Sequence, residues 1–324
     1  MLYPLFFEPI FKERVWGGRN LERLYGKQLP ADVPIGESWE ITDRPEGISV
    51  IANGPLKGRD LRWLMENHAE ELLGSARSHD GRFPLLVKIL DAQQKLSVQV
   101  HPPADVANEL GGEPKSEMWH VTDAAPDADI FVGLKNGVTR ERFEQRIGDG
   151  TVAECLHRIE TKPGDSIYLP SGRLHAIGAG NVIFEIQQNS DTTYRVFDWN
   201  RVGLDGQPRE LHVEQSLRSI NFEDFEPELA SEPGSQIGAM RSLTTNEHFI
   251  VSQHVIGDSG GEVTTVPCEA GLAILCVVSG ELNILHGGSS LHLSAGQFAM
   301  IPASLGGVDF SSDRSTSFLR AVCV

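Results

Sequence analysis

PGDSIYLPSGRLH, residues 163–175, is the stretch that decides the fold. Gly164 opens it, five residues follow, and Pro170 closes the run before a second Gly and a His. The pattern predicts a turn, a buried strand, and a second turn in which proline fixes φ. A fainter copy lies downstream at 295–307, AGQFAMIPASLGG, where Gly296 and Pro302 keep the same spacing. His175 in the first copy is matched by Gly307 in the second. The repeat therefore predicts two related β units, of which only the first can place a metal ligand at this position.

The segments upstream are short and strand-like. Residues 85–90 (LLVKIL) and 95–101 (KLSVQVH) read as neighbouring strands. In the second, Leu96, Val98 and Val100 share one face, and Ser97, Gln99 and His101 share the other. Helices are predicted over 57–75, over Thr139–Ile147 with Thr139 as N-cap, and over 211–220. Residues 223–236 carry acidic residues and prolines in the manner of a linker or exposed crossing. This places a catalytic metal-binding unit at 1–234, with short helical segments, and a smaller β unit lacking the metal site at 235–324.

The 324-residue chain is 40% hydrophobic and 23% charged, which excludes disorder as its main state. Its 28 basic and 45 acidic residues leave a net charge of −17, which disfavours nucleic-acid and anionic-membrane partners. No apolar run reaches the length of a membrane span. Cys155, Cys268, Cys276 and Cys323 show no paired spacing and read as reduced core thiols of a cytoplasmic protein. The glycine-rich GAGNVIF at 178–184 fails the dinucleotide pattern at its sixth position, so nucleotide binding is disfavoured.

The polar face of 95–101 has a metal-binding chemistry. Gln99 and His101 stand two apart on one strand, Glu117 follows on KSEMWHV, and His175 arrives from the turn at 170–175. Imidazole, carboxylate and amide oxygen from three separated strands suit zinc and its neighbours. His68, His120 and His157 lack such context and are read as structural. Trp16 and Trp39 read as core or pocket wall, and Gly17-Gly18 as a tight turn.

The spacing of 164–175 resembles the second half of the cupin signature, which implies a mainly β fold of two jelly-roll barrels with a few short helices. The Asn expected four residues after the His is absent; position 179 is Ala and Asn181 is nearest. The stretches PLLVKILDAQQKLSVQVHP (84–102), PKSEMWHV (114–121) and PGDSIYLPSGRLHAIGAG (163–180) together resemble the type I phosphomannose isomerases. RVWGG (14–18), GESWE (36–40) and TYRVFDWNR (193–201) add to the resemblance, which is closest to the shorter bacterial members.

The resemblance implies one zinc ion held by Gln99, His101, Glu117 and His175, the set already reached from residue chemistry. It implies a phosphorylated hexose as substrate, an active-site Arg at Arg195, a motif Lys at Lys115 and a pocket Glu at Glu185. The implied reaction interconverts mannose 6-phosphate and fructose 6-phosphate through a cis-enediol. That needs oxyanion stabilisation and a base. Glu185 is the first choice of base, with zinc-bound hydroxide as its rival, and Ser97 is positioned to reach the phosphate. Ile177 stands where the long members carry Tyr, which bears on pocket shape. Two other readings stay open: an iron-dependent cupin oxygenase, and a non-catalytic sugar-phosphate-binding cupin.

Overall fold

Gly164 and Gly296 both take left-handed backbone, at φ 95° and 77°, and each is followed two residues later by a strand. These strands are Ser166–Leu169 and Phe298–Ile301, so the repeat is structural. A Cβ on Gly296 would also lie 2.3 Å from the Tyr25 ring, so the turn there needs glycine for space as well as for φ. The first copy runs on into strand His175–Ile177; the second passes through a short 3₁₀ turn into Val308–Ser311. The computed structural model describes residues 1–78, 80–230, 237–257, 264–266 and 271–324.

Around each copy stands a pair of antiparallel sheets, giving the mainly β, two-barrel cupin architecture. In the first, one sheet runs Ser166–Leu169, Glu117–Ala124, Asn181–Gln188, Leu85–Ala92, Ile35–Ile41, Ile10–Gly18. The other runs Leu156–Glu160, Asp129–Leu134, His175–Ile177, Val98–Val100, Tyr194–Phe197. The second barrel has a six-stranded sheet from Leu5–Phe6 to Met240–Thr245 and a four-stranded sheet from Thr264–Val266 to Ser289–Ser294. Leu5–Phe6 pairs with Phe298–Ile301, so the N-terminal end of the chain completes the sheet of the C-terminal barrel.

Strand Asn181–Gln188 shows how the layers are built. Val182, Phe184 and Ile186 point outward, into a core shared with Phe249, Ile274, Phe298, Met300 and Leu319 of the second barrel. Ile183 points inward, with Trp16, Trp119, Ile130 and Val132. Both faces are apolar because both are covered, one by the barrel's own interior and one by its neighbour. Phe184 is fully buried, with its ring centroid 5.0 Å from Phe298 and 5.9 Å from Tyr25. Phe184→Ala is expected to cost about 3–5 kcal/mol by leaving a cavity between the barrels, measurable as a lower urea midpoint.

The interiors of the two barrels differ. The second is lined by Ala273, Leu275, Leu282, Ile284, Ile301, Phe310 and similar side chains. The first gives one end of its interior to charged groups.

Several expectations are refined by the structure. The helix at 57–75 is Leu61–Leu73, started by Asp60, whose carboxylate accepts from the Trp63 amide at 2.7 Å. His68 interrupts it with φ −141° and pairs with Glu71 instead of joining the buried face. Thr139 caps Arg140–Gly148, and the third helix is Val213–Ser219. Residues 85–90 and 95–101 are not paired neighbours: they lie in opposite sheets, so their inward faces look at each other across the barrel. Leu96 precedes the strand proper, and packs with the barrel interior instead of alternating with Ser97.

Gly17-Gly18 is not a turn but the end of strand Ile10–Gly18, where a Cβ on Gly17 would sit 2.3 Å from the Gly36 nitrogen. Asn181 donates to the carbonyls of Asp129 and Gly178. Cys155, Cys276 and Cys323 are buried free thiols. The boundary near 235 and Cys268 lie outside the described residues. Among the described residues, no helix is long and apolar enough to cross a membrane.

Candidate active site

Strand register assembles the site. Gln99 lies directly beside His175 on one neighbouring strand and beside Arg195 on the other. Glu117, at the start of its strand in the facing sheet, looks across at them. His101 follows Gln99 by two residues, just past the end of the same strand, and its side chain joins the inner face. Gln99 Nε2 is 3.2 Å from His175 Nε2. Glu117 Oε1 is 3.5 Å from His175 Nε2, and Glu117 Oε2 is 3.4 Å from His101 Nε2.

Both imidazoles are held by backbone. His101 Nδ1 donates to the Thr192 carbonyl at 2.7 Å, and His175 Nδ1 donates to the Arg173 carbonyl at 2.9 Å. Each ring therefore presents an unprotonated Nε2 to the carboxylate, the tautomer required of a metal ligand. His101 is 2% exposed, His175 1% and Glu117 0%. At that burial, His101 Nε2 and Glu117 Oε1 lack a hydrogen-bond partner. Burial is also the main cause that pushes the His101 pKa down to about 3 and lowers that of His175. Burial works to raise the pKa of Glu117, but Lys115, with its Nζ 2.7 Å from Oε2, together with His101 and His175 outweighs it and holds the carboxylate charged.

These three residues are the cluster of His and carboxylate side chains whose donor atoms fall within 4.8 Å of one another. Gln99 completes a fourth side; turning its amide by 180° exchanges nitrogen for oxygen at the 3.2 Å contact. The two buried Nε2 atoms, the Glu117 carboxylate and an amide able to turn form a donor set that fits a divalent cation such as zinc.

Beside the cluster opens a cavity of about 570 Å³, within the usual size range for a small-molecule site. Ser97, Gln99, Lys115, Glu185 and Arg195 line it, so every residue singled out from sequence either lines this cavity or belongs to the donor cluster next to it. Ser97 Oγ donates to Gln99 Oε1 at 3.2 Å, and a hydroxyl can equally accept from the amide nitrogen when the group is turned.

Glu185 is cross-strand from both Lys88 and Trp119, and it touches both. Lys88 Nζ is 3.2 Å from Oε1 and Trp119 Nε1 donates to Oε2 at 3.0 Å. Burial, then the nearby charge of Glu117, raises the Glu185 pKa above the usual carboxylate range. Arg195 donates through Nη1 to the Glu210 carbonyl at 2.8 Å, while its buried Nε has no partner.

Sequence reasoning missed Lys88, Glu37, Arg14 and Arg209, all on the cavity wall. Lys88 did carry a signal: a single Lys within LLVKIL must find an anion if the strand is buried on both faces. Its pKa is raised, with burial opposed by Glu185 and Glu37. Glu37 is pushed down to about 2, where Lys88 and Arg14 overcome the effect of burial. Glu37 Oε2 accepts from Trp39 Nε1 at 2.6 Å, and Oε1 from Arg14 Nε at 2.7 Å.

A double barrel in which, among the described residues, buried imidazole, carboxylate and amide groups converge in the first unit defines a cupin with a candidate metal centre. Comparison with known proteins narrows the class. The catalytic-domain model of type I phosphomannose isomerase matches residues 5–123. Mannose-6-phosphate isomerase ManA of Bacillus subtilis is 39% identical over 94% of this chain and 94% of its own. The mannose-6-phosphate isomerase of Streptococcus mutans is 36% identical over 97% and 96%. The crystal structure of the mannose 6-phosphate isomerase from B. subtilis superposes with a TM-score of 0.88 at 32% identity, covering 99% of both chains. The chain belongs to the type I phosphomannose isomerase family.

Proposed function

We propose that this protein is a zinc-dependent aldose-ketose isomerase that interconverts mannose 6-phosphate and fructose 6-phosphate through a cis-enediol. The observation that carries the reading is the convergence of His101 Nε2, His175 Nε2 and the Glu117 carboxylate, all buried, beside a charged cavity of sugar-phosphate size. Family membership supplies the reaction. Residues 1–234 are the proposed catalytic unit, and 235–324 the barrel that supports it.

Gln99, His101, Glu117 and His175 would hold the ion. When bound, zinc supplies Lewis-acid stabilisation of charge developing on the substrate oxygens. Glu185 removes the C2 proton of the open-chain aldose and returns it to C1. Its raised pKa suits both halves of that transfer, because a base that is too weak cannot take the proton and one that is too strong cannot give it back. Lys88, 3.2 Å from Glu185, holds the carboxylate in place and balances its charge. Lys115 and Arg195 line the cavity, and their cationic donors suit the enediol oxygens and the phosphate. Ser97 offers a hydroxyl on the same wall.

The test is a coupled assay of mannose 6-phosphate conversion on protein as isolated, after chelation, and after zinc is restored. Activity is expected to vanish on chelation and return with zinc. A folded, zinc-loaded sample without turnover would rule the reading out.

A further inference from the structure

The loop that carries His175 is tied to a segment that the scheme above does not use. Residues 223–230 open the acidic stretch after helix Val213–Ser219, and they lie against the first barrel. The Leu134 amide donates to the Asp224 carbonyl at 2.9 Å, and the Glu226 amide donates to the Leu134 carbonyl at 2.9 Å. Asn136 Nδ2 donates to Glu226 Oε2 at 2.6 Å, and the Ala230 amide to the Ser166 carbonyl at 2.8 Å. Gly133 has φ 70°, and a Cβ there would lie 2.6 Å from Pro227 Cδ, so the crossing sits directly on strand Asp129–Leu134. These contacts make 223–230 a strap and not a linker.

A bidentate ion pair joins the strap to the His175 loop. Arg173 Nε donates to Asp224 Oδ2 at 2.8 Å, and Nη2 donates to Oδ1 at 2.7 Å. Arg173 Nη1 donates to the Tyr168 carbonyl at 2.7 Å, on the strand that leads into the turn. The two side chains are 17% and 15% exposed, so water and salt screen this pair less than a surface pair. The guanidinium thus anchors the turn to the strand before it and to the strap. The carbonyl of the same residue accepts from His175 Nδ1 at 2.9 Å. Arg173 follows Gly172, at φ 91°, where a glycine gives the chain freedom that the anchor removes. Gly172 in turn donates its amide to the His101 carbonyl at 2.8 Å and accepts from the Asn221 amide at 2.8 Å. One turn therefore touches the backbone of both imidazole-bearing residues and of the chain leading into the strap.

We propose that Arg173 and Asp224 are positioning residues of the metal centre. Their ion pair fixes the Arg173 carbonyl, and that carbonyl sets the tautomer and the plane in which His175 offers Nε2. Partners behind an imidazole ligand hold its orientation and raise its basicity. Here the partner is a carbonyl, so the charges that steady it lie one step further out. Neither Arg173 nor Asp224 lines the cavity, so neither is placed to touch substrate. The proposal rests on the reading above in one respect, that His175 is a metal ligand.

The experiment measures zinc affinity by competition with a chromophoric chelator, and the visible spectrum of the cobalt(II)-substituted protein. Wild type is compared with Arg173→Met, Asp224→Asn and the double variant. Each single change is expected to raise the zinc dissociation constant by about tenfold or more, and to shift the cobalt bands that report ligand geometry. Both changes remove the same contact, so the double variant should bind no more weakly than the weaker single one. Unchanged affinity and spectrum in both single variants would overturn the proposal, as would effects that simply add. Asn136→Ala loosens the strap without touching the ion pair. It should lower the urea midpoint and leave zinc affinity as it was; an equal loss of affinity would make the pair ordinary packing and overturn the proposal. Should Arg173→Met not fold, Asp224→Asn still decides, because it keeps the shape of the side chain and the backbone bonds of the strap. His175→Ala separates the two readings. If it binds zinc as tightly as wild type, His175 is no ligand and the proposal falls with the metal site. If it loses zinc while the ion-pair variants keep it, the proposal alone fails.

Discussion

His101→Ala is expected to remove metal binding and isomerase activity together while leaving the protein folded. The imidazole contributes one of two Nε2 donors to the cluster, and its Nδ1 is already spent on the Thr192 carbonyl. Loss of a mere supporting partner behind a metal ligand costs about 10–100-fold in affinity or activity, and loss of the ligand itself should exceed that. Alanine also leaves Glu117 with one imidazole fewer, while Lys115 at 2.7 Å still balances its charge. The fold is therefore expected to survive, because no uncompensated buried carboxylate is created. Gln99→Ala should act in the same direction but more weakly, since a neutral amide adds no charge to the site. The measurements are zinc content by elemental analysis, turnover of mannose 6-phosphate, and far-UV circular dichroism. Full zinc occupancy and full turnover in both variants would remove these residues from the site.

The parts of this site that were legible in the sequence share one physical property: they depend on local geometry. Gln99 and His101 could be placed on one face because strand side chains alternate, whatever lies across from them. Thr139 was legible as a cap because its hydroxyl acts within its own turn, accepting from the Arg142 amide at 3.3 Å. The turn at Gly164 was legible because φ is a property of one residue.

What escaped depends on which strand lies opposite. Lys88 and Glu185 are far apart in the chain and meet only because Leu85–Ala92 and Asn181–Gln188 pair in that register. LLVKIL reads as a uniformly buried run. Nothing local says that Lys88 faces the cavity while Val87 and Ile89 face the second barrel. Sheet membership of the 95–101 strand was misread for the same reason, since adjacency in sequence does not choose between pairing and facing. Arg209 lies in a loop whose only local sign is an unusual backbone at Trp199 and Asn200, and φ at non-glycine residues leaves no mark in the sequence.

Glu185→Gln should lower kcat by about 10²–10⁴-fold with a smaller change in KM, the range typical for loss of a positioned general base. The substitution is nearly isosteric. The Trp119 indole can still donate to the amide oxygen, and Lys88 keeps Asp191 at 4.0 Å as a counter-charge. The sharper readout is pH. A base works when deprotonated, so the rate should fall on the acid side as the carboxylate takes up its proton. Burial and Glu117 raise the Glu185 pKa, which places that acid limb above the pH expected of an ordinary carboxylate. Lys88 opposes the rise, since its charge favours the ionised form. Lys88→Met should therefore move the acid limb of kcat to still higher pH, whereas Glu185→Gln should abolish it. Moving the limb through one residue and erasing it through the other would tie proton transfer to the Glu185–Lys88 pair. A limb that stayed in place in both variants would assign the base to another group, because a purely structural contribution from Glu185 would lower the rate without reshaping its pH profile.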